Sequence, residues 1–226
     1  MKVTRPNSAQ APYHSGHEFC APAGFVALFD TAGIFVLYPH RDVFSVGYLV
    51  ISTALAVLQA GVSRKFSKSP ELQRLFYAND IDPLWDRCVP FLGFLELGVF
   101  YEYAHLRLLP ALLNAPLQTI GLVICSLGTG WLLWVDRYLV REFPTHYRRA
   151  APMMSGPYRF VRHPRYVGLL ATRLALPLVF GSLLAWAIAC TWFMLIRRRA
   201  HLEERFLTGK FGRAYVDYAS RALGIP

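Results

Sequence analysis

The sequence predicts an all-α, polytopic membrane protein with about four single-spanning helices, a C-terminal helical hairpin and a cytoplasmic amphipathic tail helix. Hydrophobic residues make up 54% of its 226 residues, and the mean hydropathy is +0.32. Charged residues make up 17%, whereas soluble domains average roughly 25%. Long apolar runs recur along the chain, and a soluble fold of this size cannot bury so much apolar surface. The bilayer is therefore the expected solvent.

Five apolar runs account for the predicted helices. A helix needs about 20 apolar residues to cross the hydrocarbon core, and the second, third and fourth runs fit this length directly. The first run is short and contains Asp30, which makes it the least typical span. The runs cover residues 22–38, 43–62, 89–106, 117–135 and 166–196.

The fifth run is too long for a single crossing. As one helix it would span roughly 46 Å, against a hydrocarbon core of about 30 Å. Pro177 and the pair Gly181–Ser182 lie in its middle, and such residues kink or interrupt helices. We therefore predict a hairpin, with one helix ending near Phe180 and the next extending from about Ser182 to Ile196.

The distribution of positive charge predicts the orientation. The net charge of +10 would suggest a nucleic-acid partner in a soluble protein, but the basic residues lie between apolar runs, so none is expected. If the hairpin returns to the side it left, only Arg41 and Arg107 lie on the opposite side, with Arg173 inside an apolar run. Positive residues favour the cytoplasmic side. Both termini are therefore predicted to be cytoplasmic, in a multi-pass protein of the inner membrane if the source is bacterial.

The chain is predicted to form a single membrane domain, residues 22–226, after a polar N-terminal tail, residues 1–21. No apolar signal-peptide core precedes Phe25, so no cleaved signal is expected. The polar loop 63–87 could hold a short amphipathic helix around Pro70–Ala78. The cysteines are far apart and form no Cys/His motif, so neither a metal site nor a disulfide framework is expected. They are Cys20, Cys88, Cys125 and Cys190.

Four ionisable residues lie within apolar runs, where charge is costly and therefore indicates a functional candidate. They are Glu96, Glu102, His105 and Arg173. Glu102 and His105 are i and i+3 neighbours on a predicted helix. This spacing is consistent both with a pair that fixes helix packing and with a contact to substrate.

The segment 155–168 contains the first cluster of candidate functional residues. Pro164 suits the first turn of a helix, and the preceding His163 is driven towards extended dihedrals. The helix should therefore begin near Pro164, with free N–H groups and a positive dipole end that favour a carboxylate or phosphate. Arg159, Arg162 and Arg165 add positive charge there. The alternative is that these arginines contact lipid headgroups.

The second cluster of candidate functional residues follows the hairpin. Glu203 and Glu204 are adjacent and point about 100° apart on a helix. One could accept hydrogen bonds from ribose hydroxyls or an amine while the other pairs with an arginine; the alternative is a solvated charge cluster. Tyr215 and Tyr218 lie at i and i+3 on a predicted amphipathic helix. Their alternative role is packing against the membrane surface.

These segments together carry G-P-Y-R-x-x-R-H-P-x-Y-x-G, a hairpin, E-E-x-x-L and F-G-x-x-Y-x-x-Y. In this order and spacing they resemble the isoprenylcysteine carboxyl methyltransferase family, and related phospholipid N-methyltransferases are similar. The resemblance covers residues 155–221. It implies a bundle of membrane helices that binds S-adenosylmethionine at its cytoplasmic end, without a Rossmann domain.

The resemblance also implies site residues. Arg162 and Arg199 match positions close to the reacting groups, which makes them the predicted catalytic pair. The remaining residues are assigned to the cofactor, with the glutamates closing the pocket and the last two tyrosines forming a lid. They are Tyr158, His163, Pro164, Tyr166, Gly168, Glu203, Glu204, Tyr215 and Tyr218.

The function implied is methylation of a lipophilic small molecule or lipid that arrives sideways from the bilayer, with membrane lipids as neighbours. Prenylated-cysteine carboxyl groups are the best-known substrate of the family. The alternative is an NADPH-dependent enzyme similar to membrane sterol reductases, which also carry a His-Pro-x-Tyr-x-Gly segment. The Glu203–Glu204 pair and Phe211–Gly212 favour methylation over reduction. A third possibility is a protein that keeps the fold without activity.

Overall fold

The computed structural model describes residues 42–66, 82–148 and 152–225, together with Ala32. Within these residues there are six α-helices and no β-strand, apart from one isolated pairing of Val161 with Leu223. The predicted all-α class is confirmed for this part of the chain. The helices are α1 Val43–Phe66, α2 Pro83–Tyr101, α3 Ala115–Arg148, α4 Pro164–Phe180, α5 Leu183–Phe211 and α6 Arg213–Ala219.

Three predictions fall on residues outside the described ranges. They concern the polar tail 1–21, the first apolar run 22–38 and the amphipathic helix around Pro70–Ala78. The boundary between tail and membrane domain therefore stays a prediction.

Two of the described helices are long and apolar enough to cross a membrane. The apolar stretches are Val43–Val62 of α1 and Ala115–Glu142 of α3, with mean hydropathies of 1.9 and 1.5. The helix α4 has only 17 residues, fewer than a full crossing needs, and includes Arg165 and Arg173. The fold therefore contains apolar spans as predicted, while their total number stays a prediction.

The chain reverses where the hairpin was predicted, but α5 extends to Phe211, well beyond the predicted end at Ile196. α4 ends at Phe180 and α5 begins at Leu183, joined only by Gly181 and Ser182. Gly181 has φ of +52°, a left-handed conformation that favours glycine at a helix C-terminus. Ser182 is the N-cap of α5, and its Oγ accepts a hydrogen bond from Ala185 N at 3.0 Å. The chain therefore reverses within two residues, while Pro177 remains inside α4.

Glu102, which lies outside the hairpin, binds the residues of the hairpin turn. It lies just after α2, is 4% exposed, and accepts hydrogen bonds from Ser182 Oγ at 2.6 Å, Leu183 N at 2.7 Å and Leu184 N at 3.0 Å. The first N–H groups of a helix lack partners within the helix, and the positive dipole end favours a carboxylate. Of the two roles considered for Glu102, the geometry supports helix packing.

The longest helix, α3, packs along α4 and positions its beginning. A Cβ added to Gly168 would lie 2.6 Å from Leu132 Cγ, so the two helices approach too closely for a side chain there. Trp131 Nε1 donates to Pro164 O at 2.6 Å, and Arg165 pairs with Asp136 at 3.1 Å. These contacts fix where the chemically important turn before α4 lies.

The half of the bundle that contains the hairpin turn has an aromatic core around Phe180. The Phe180 ring meets the rings of Tyr48, Phe100 and Tyr103 edge-on, with centroids 5.2, 5.2 and 5.3 Å apart. Such arrangements suit the ring quadrupoles. This cluster joins α1, the end of α2 and the end of α4.

We predict that Glu102→Ala destabilises the protein by about 1–3 kcal/mol, because buried donors at the start of α5 lose their acceptor. The measurement is the midpoint of thermal denaturation in detergent, followed by circular dichroism. Glu142→Ala is the matched control, since Glu142 pairs with the exposed Arg141 at 2.8 Å and surface pairs contribute little. Equal midpoints for the two variants would contradict the capping role.

Candidate active site

The site begins at the turn before α4. Residues Gly156–Arg159 form a 3-10 turn, and His163 follows with φ of −126° and ψ of 65°. α4 starts at Pro164, as the sequence predicted. His163 therefore lies at the start of α4, next to the polar C-terminal half of α5.

His163 lies between the two glutamates of α5. Its side chain is buried, with Nε2 at 3.1 Å from Glu204 Oε1 and Nδ1 at 3.5 Å from Glu203 Oε2. A neutral imidazole carries one N–H and donates to one of these carboxylates, whereas an imidazolium donates to both. The adjacent glutamates thus converge on one ring from two sides.

Glu203 is also bound by a tyrosine and an arginine. It accepts a hydrogen bond from Tyr166 Oη, and Arg199 Nε lies 3.3 Å from its Oε1 and 3.0 Å from the tyrosine hydroxyl. Burial opposes ionisation of Glu203, but hydrogen bonds from His163 and Tyr166 and the charges of His163 and Arg199 outweigh it, so its pKa lies below the ordinary value. Glu203 is therefore an ionised acceptor within the site.

Glu204 has its own arginine. Arg162 Nη1 donates to Glu204 Oε1 at 2.9 Å. The sequence interpretation assigned an arginine to one glutamate and a ligand to the other; in the structure both glutamates contact an arginine. This leaves ligand binding to the remaining lone pairs, since a carboxylate has about four acceptor positions.

Arg162 also binds the C-terminal tail. Its Nε donates to Ala222 O at 3.0 Å and its backbone N to Leu223 O at 2.8 Å. Leu223 N donates back to Phe160 O at 3.1 Å. Arg162 therefore joins Glu204 to the tail, which suggests a positioning role; a direct catalytic role for Arg162 or Arg199 stays a prediction.

The two tail tyrosines lie against the site. Tyr215 and Tyr218 are 3% and 8% exposed, and Tyr218 Oη donates to Tyr158 O at 2.6 Å. Burial raises the pKa of Tyr218 to about 12, although Arg162 acts in the opposite direction. Burial and the nearby Glu204 raise the pKa of Tyr215. Both hydroxyls are therefore neutral donors, and their closure over a cofactor stays a prediction.

Three further predicted residues have clear structural partners. Pro164 is buried and its carbonyl accepts from Trp131, and Gly168 faces Leu132 of α3. Burial raises the pKa of Tyr158, helped by the charge of Glu203. The packing against α3 alone explains Gly168, so its assignment to the cofactor gains no support from this contact.

Two tryptophans at the site were missed by the sequence analysis. The ring of Trp85 lies 4.9 Å from the guanidinium of Arg199, 6.0 Å from the Tyr166 ring and 5.5 Å from the Trp192 ring. Trp85 occupies the first turn of α2, whose beginning the Asp82–Pro83 pair signals. That signal could have placed Trp85 on a helix rather than in the loop 63–87.

The similarity to known proteins lies in the segment that builds this site. The profile of the family described as Phospholipid methyltransferase matches residues 116–214. Residues 116–214 are therefore similar to phospholipid methyltransferases, and one relative is named for isoprenylcysteine, which confirms the resemblance inferred from the motifs. No solved structure matches the chain.

Three curated relatives are methyltransferases by name. A Methanethiol S-methyltransferase from a Pseudomonas strain is 43% identical over 112 residues, covering 43% of this chain and 42% of that protein. Methanethiol S-methyltransferase 2 of Bradyrhizobium diazoefficiens is 30% identical over 122 residues, 46% of each chain. Protein-S-isoprenylcysteine O-methyltransferase B of Arabidopsis thaliana is 34% identical over 74 residues, 32% of this chain and 38% of that protein. Each match thus spans less than half of the relative's length.

We predict that Glu203 couples stability to pH. Because its folded-state pKa lies below the usual 4.5, its ionised form contributes stability above that pH, and the contribution is lost as the pH falls through the folded value. The denaturation midpoint of Glu203→Gln should lie below that of the native protein at about pH 6, and this gap should narrow towards about pH 3. A gap that widens on acidification would contradict the assignment; Glu142→Gln is the control.

A second prediction concerns the tail. Arg162→Ala should increase hydrogen exchange at the Leu223 amide by about tenfold, because a charge-assisted hydrogen bond to Ala222 O is lost. The measurement is hydrogen–deuterium exchange with mass spectrometry of peptides covering 220–225. Arg159→Ala serves as control, since Arg159 is exposed and lies only three residues before Arg162. Unchanged exchange in Arg162→Ala would show that the tail is held by other contacts.

Proposed function

We propose that the protein is an S-adenosylmethionine-dependent methyltransferase acting on a lipophilic acceptor in the membrane. The observation that carries this proposal is that the motif segments contact one another around His163. Glu203 and Glu204 bracket its ring, Arg162 links Glu204 to the tail, and Tyr218 binds the backbone of Tyr158. The methyltransferase relatives support the same reaction class, whereas no match supports the sterol-reductase alternative.

The donors and acceptors of the site fit an amino-acid nucleoside. Carboxylates accept hydrogen bonds from ribose hydroxyls and from an ammonium group, and Glu203 and Glu204 supply two of them. Tyr215 Oη is buried and has no hydrogen-bond partner among the described residues, so it is available to a polar ligand. The first turn of α4 offers backbone N–H groups for a carboxylate.

The residues of the chain have separate tasks in the proposed reaction. When bound, S-adenosylmethionine would supply a methyl group on a cationic sulfur: the bond from that sulfur to the methyl carbon would break, one S–C bond to the acceptor thiol would form, and the thiol proton would pass to water, leaving S-adenosylhomocysteine. Glu203 and Glu204 orient the ligand and offer acceptors, and the tail excludes water, which strengthens local electrostatics. Arg199, held by Tyr166 and Glu203, orients the acceptor side. Holding two reactants in line can lower a barrier by about 7–11 kcal/mol.

Two acceptor chemistries follow from the relatives. Two are named for the S-methylation of methanethiol, and the third for the O-methylation of a protein S-isoprenylcysteine. Both acceptors are lipophilic and suit lateral access from lipid. The proposed topology is multi-pass, with both termini and the site on the cytoplasmic side, where the positive residues concentrate.

We predict that the detergent-purified protein binds S-adenosylhomocysteine and that Glu203→Ala weakens binding by about tenfold or more, because charge-assisted hydrogen bonds are lost. Isothermal titration calorimetry measures the affinity, with His163→Ala as a second site variant. Glu142→Ala should bind as the native protein does, since Glu142 lies outside the site on α3. A native protein that binds NADPH and not S-adenosylhomocysteine would replace this proposal with the reductase.

A further inference from the structure

Trp85 and Trp192 form a tryptophan wall beside the proposed cofactor site. Their rings meet edge-on with centroids 5.5 Å apart. Trp85 contacts Arg199 and Tyr166, and both of these residues bind Glu203. The wall thus contacts two residues of the site, where α2, α4 and α5 meet.

Behind the wall, side chains of these helices contact one another. The guanidinium of Arg173 lies 5.0 Å from the centroid of the Trp192 ring and is paired with Glu96 of α2. Further along, a Cβ on Gly98 would lie 2.7 Å from Leu184 Cδ2, which shows how closely α2 and α5 approach. A long alkyl chain entering between the helices would have to displace the wall and this ion pair.

Two polar atoms at the wall have no assigned task. Trp192 is 4% exposed, and its Nε1 has no hydrogen-bond partner among the described residues; the same holds for Arg173 Nε. A buried donor without an acceptor is costly, and such groups in native structures call for an explanation. A ligand with one hydrogen-bond-accepting atom against the Trp192 indole would satisfy the first donor.

The local charges favour a neutral ligand. Arg173 is paired with Glu96, Arg199 with Glu203, and Arg162 with Glu204. The positive and negative charges of these pairs balance, so they provide no net attraction for an acceptor carboxylate. A neutral thiol is accommodated without such a charge, and sulfur makes favourable contacts with aromatic rings.

We infer that the tryptophan wall is the size-determining surface of the acceptor site and admits compact neutral thiols while excluding acceptors with long alkyl or prenyl chains. The inference rests on the proposed function, because it concerns the acceptor of that same reaction. Trp192 sets the limit, since its ring separates the site from the Arg173–Glu96 pair.

The test compares alkanethiols of one to twelve carbons as acceptors for the native protein and Trp192→Ala in nanodiscs. The native protein should prefer the shortest thiols, and Trp192→Ala should shift the ratio of kcat/KM values towards long chains by about tenfold or more. Trp192→Phe should keep the native order. Trp186→Ala, on the same helix and only partly buried, is the matched control and should also keep it.

A second readout needs no cofactor. Dimethyl sulfide should raise the denaturation midpoint of the native protein more than methyl dodecyl sulfide does, and Trp192→Ala should reverse this order. If Trp192→Ala does not fold, Trp192→Leu takes its place in both measurements.

The outcomes separate the two proposals. A native protein that does not bind S-adenosylhomocysteine contradicts the proposed function and the size limit with it. Binding of S-adenosylhomocysteine together with a preference for long-chain thiols or prenylated cysteine overturns the size limit alone. An unchanged chain-length profile in a folded Trp192→Ala that still binds S-adenosylhomocysteine also overturns it.

Discussion

The bracketing of His163 by Glu203 and Glu204 is the interaction on which the site depends. It ties the residue before α4 to the part of α5 that continues beyond the hairpin, and the other contacts extend from it. Arg162 leads from Glu204 to the tail, and Tyr166 leads from Glu203 to Arg199 and Trp85. Partly buried ion pairs are weak evidence for stability, because desolvation offsets much of their attraction. A dense network of this kind is better explained by a site that must hold a polar ligand.

The hairpin is held at both ends by carboxylates, for different physical reasons. At its closed end Glu102 satisfies the free N–H groups at the start of α5, where a buried helix terminus needs an acceptor. At its open end Glu203 and Glu204 hold a side chain, His163, and not a helix terminus. α4 is therefore a short element fixed at its beginning by the glutamates and by α3, and at its end by a two-residue turn. These contacts at both ends of α4 position His163 and Arg162 together in the turn before it.

Local sequence signals predicted the local features well. Gly181 broke the fifth apolar run, and Pro164 began a helix, because each acts through its own backbone conformation. The motif segments also came together as the resemblance implied. The cap made by Glu102, the arginine partner of the second glutamate and the place of Trp85 were not predictable in this way. Each depends on how helices far apart in sequence pack, and no periodicity within one helix carries that information. The number of spans stayed open because α4 and α5 combine apolar faces with arginines.

Different helices supply the proposed cofactor contacts and the proposed acceptor surface, and this bears on how related enzymes use different acceptors. The family match covers 116–214, which contains both glutamates, His163 and most of the proposed cofactor contacts. α2 lies outside that match, yet it supplies Trp85 and Glu96 to the surface where the acceptor is proposed to bind. Relatives named for a thiol and for a prenylated cysteine share similarity with this chain. The tryptophan wall therefore combines Trp192 of α5, from within the matched segment, with Trp85 of α2, from outside it. Replacing the first turns of α2 alters one half of the wall while leaving the glutamates and His163 in place.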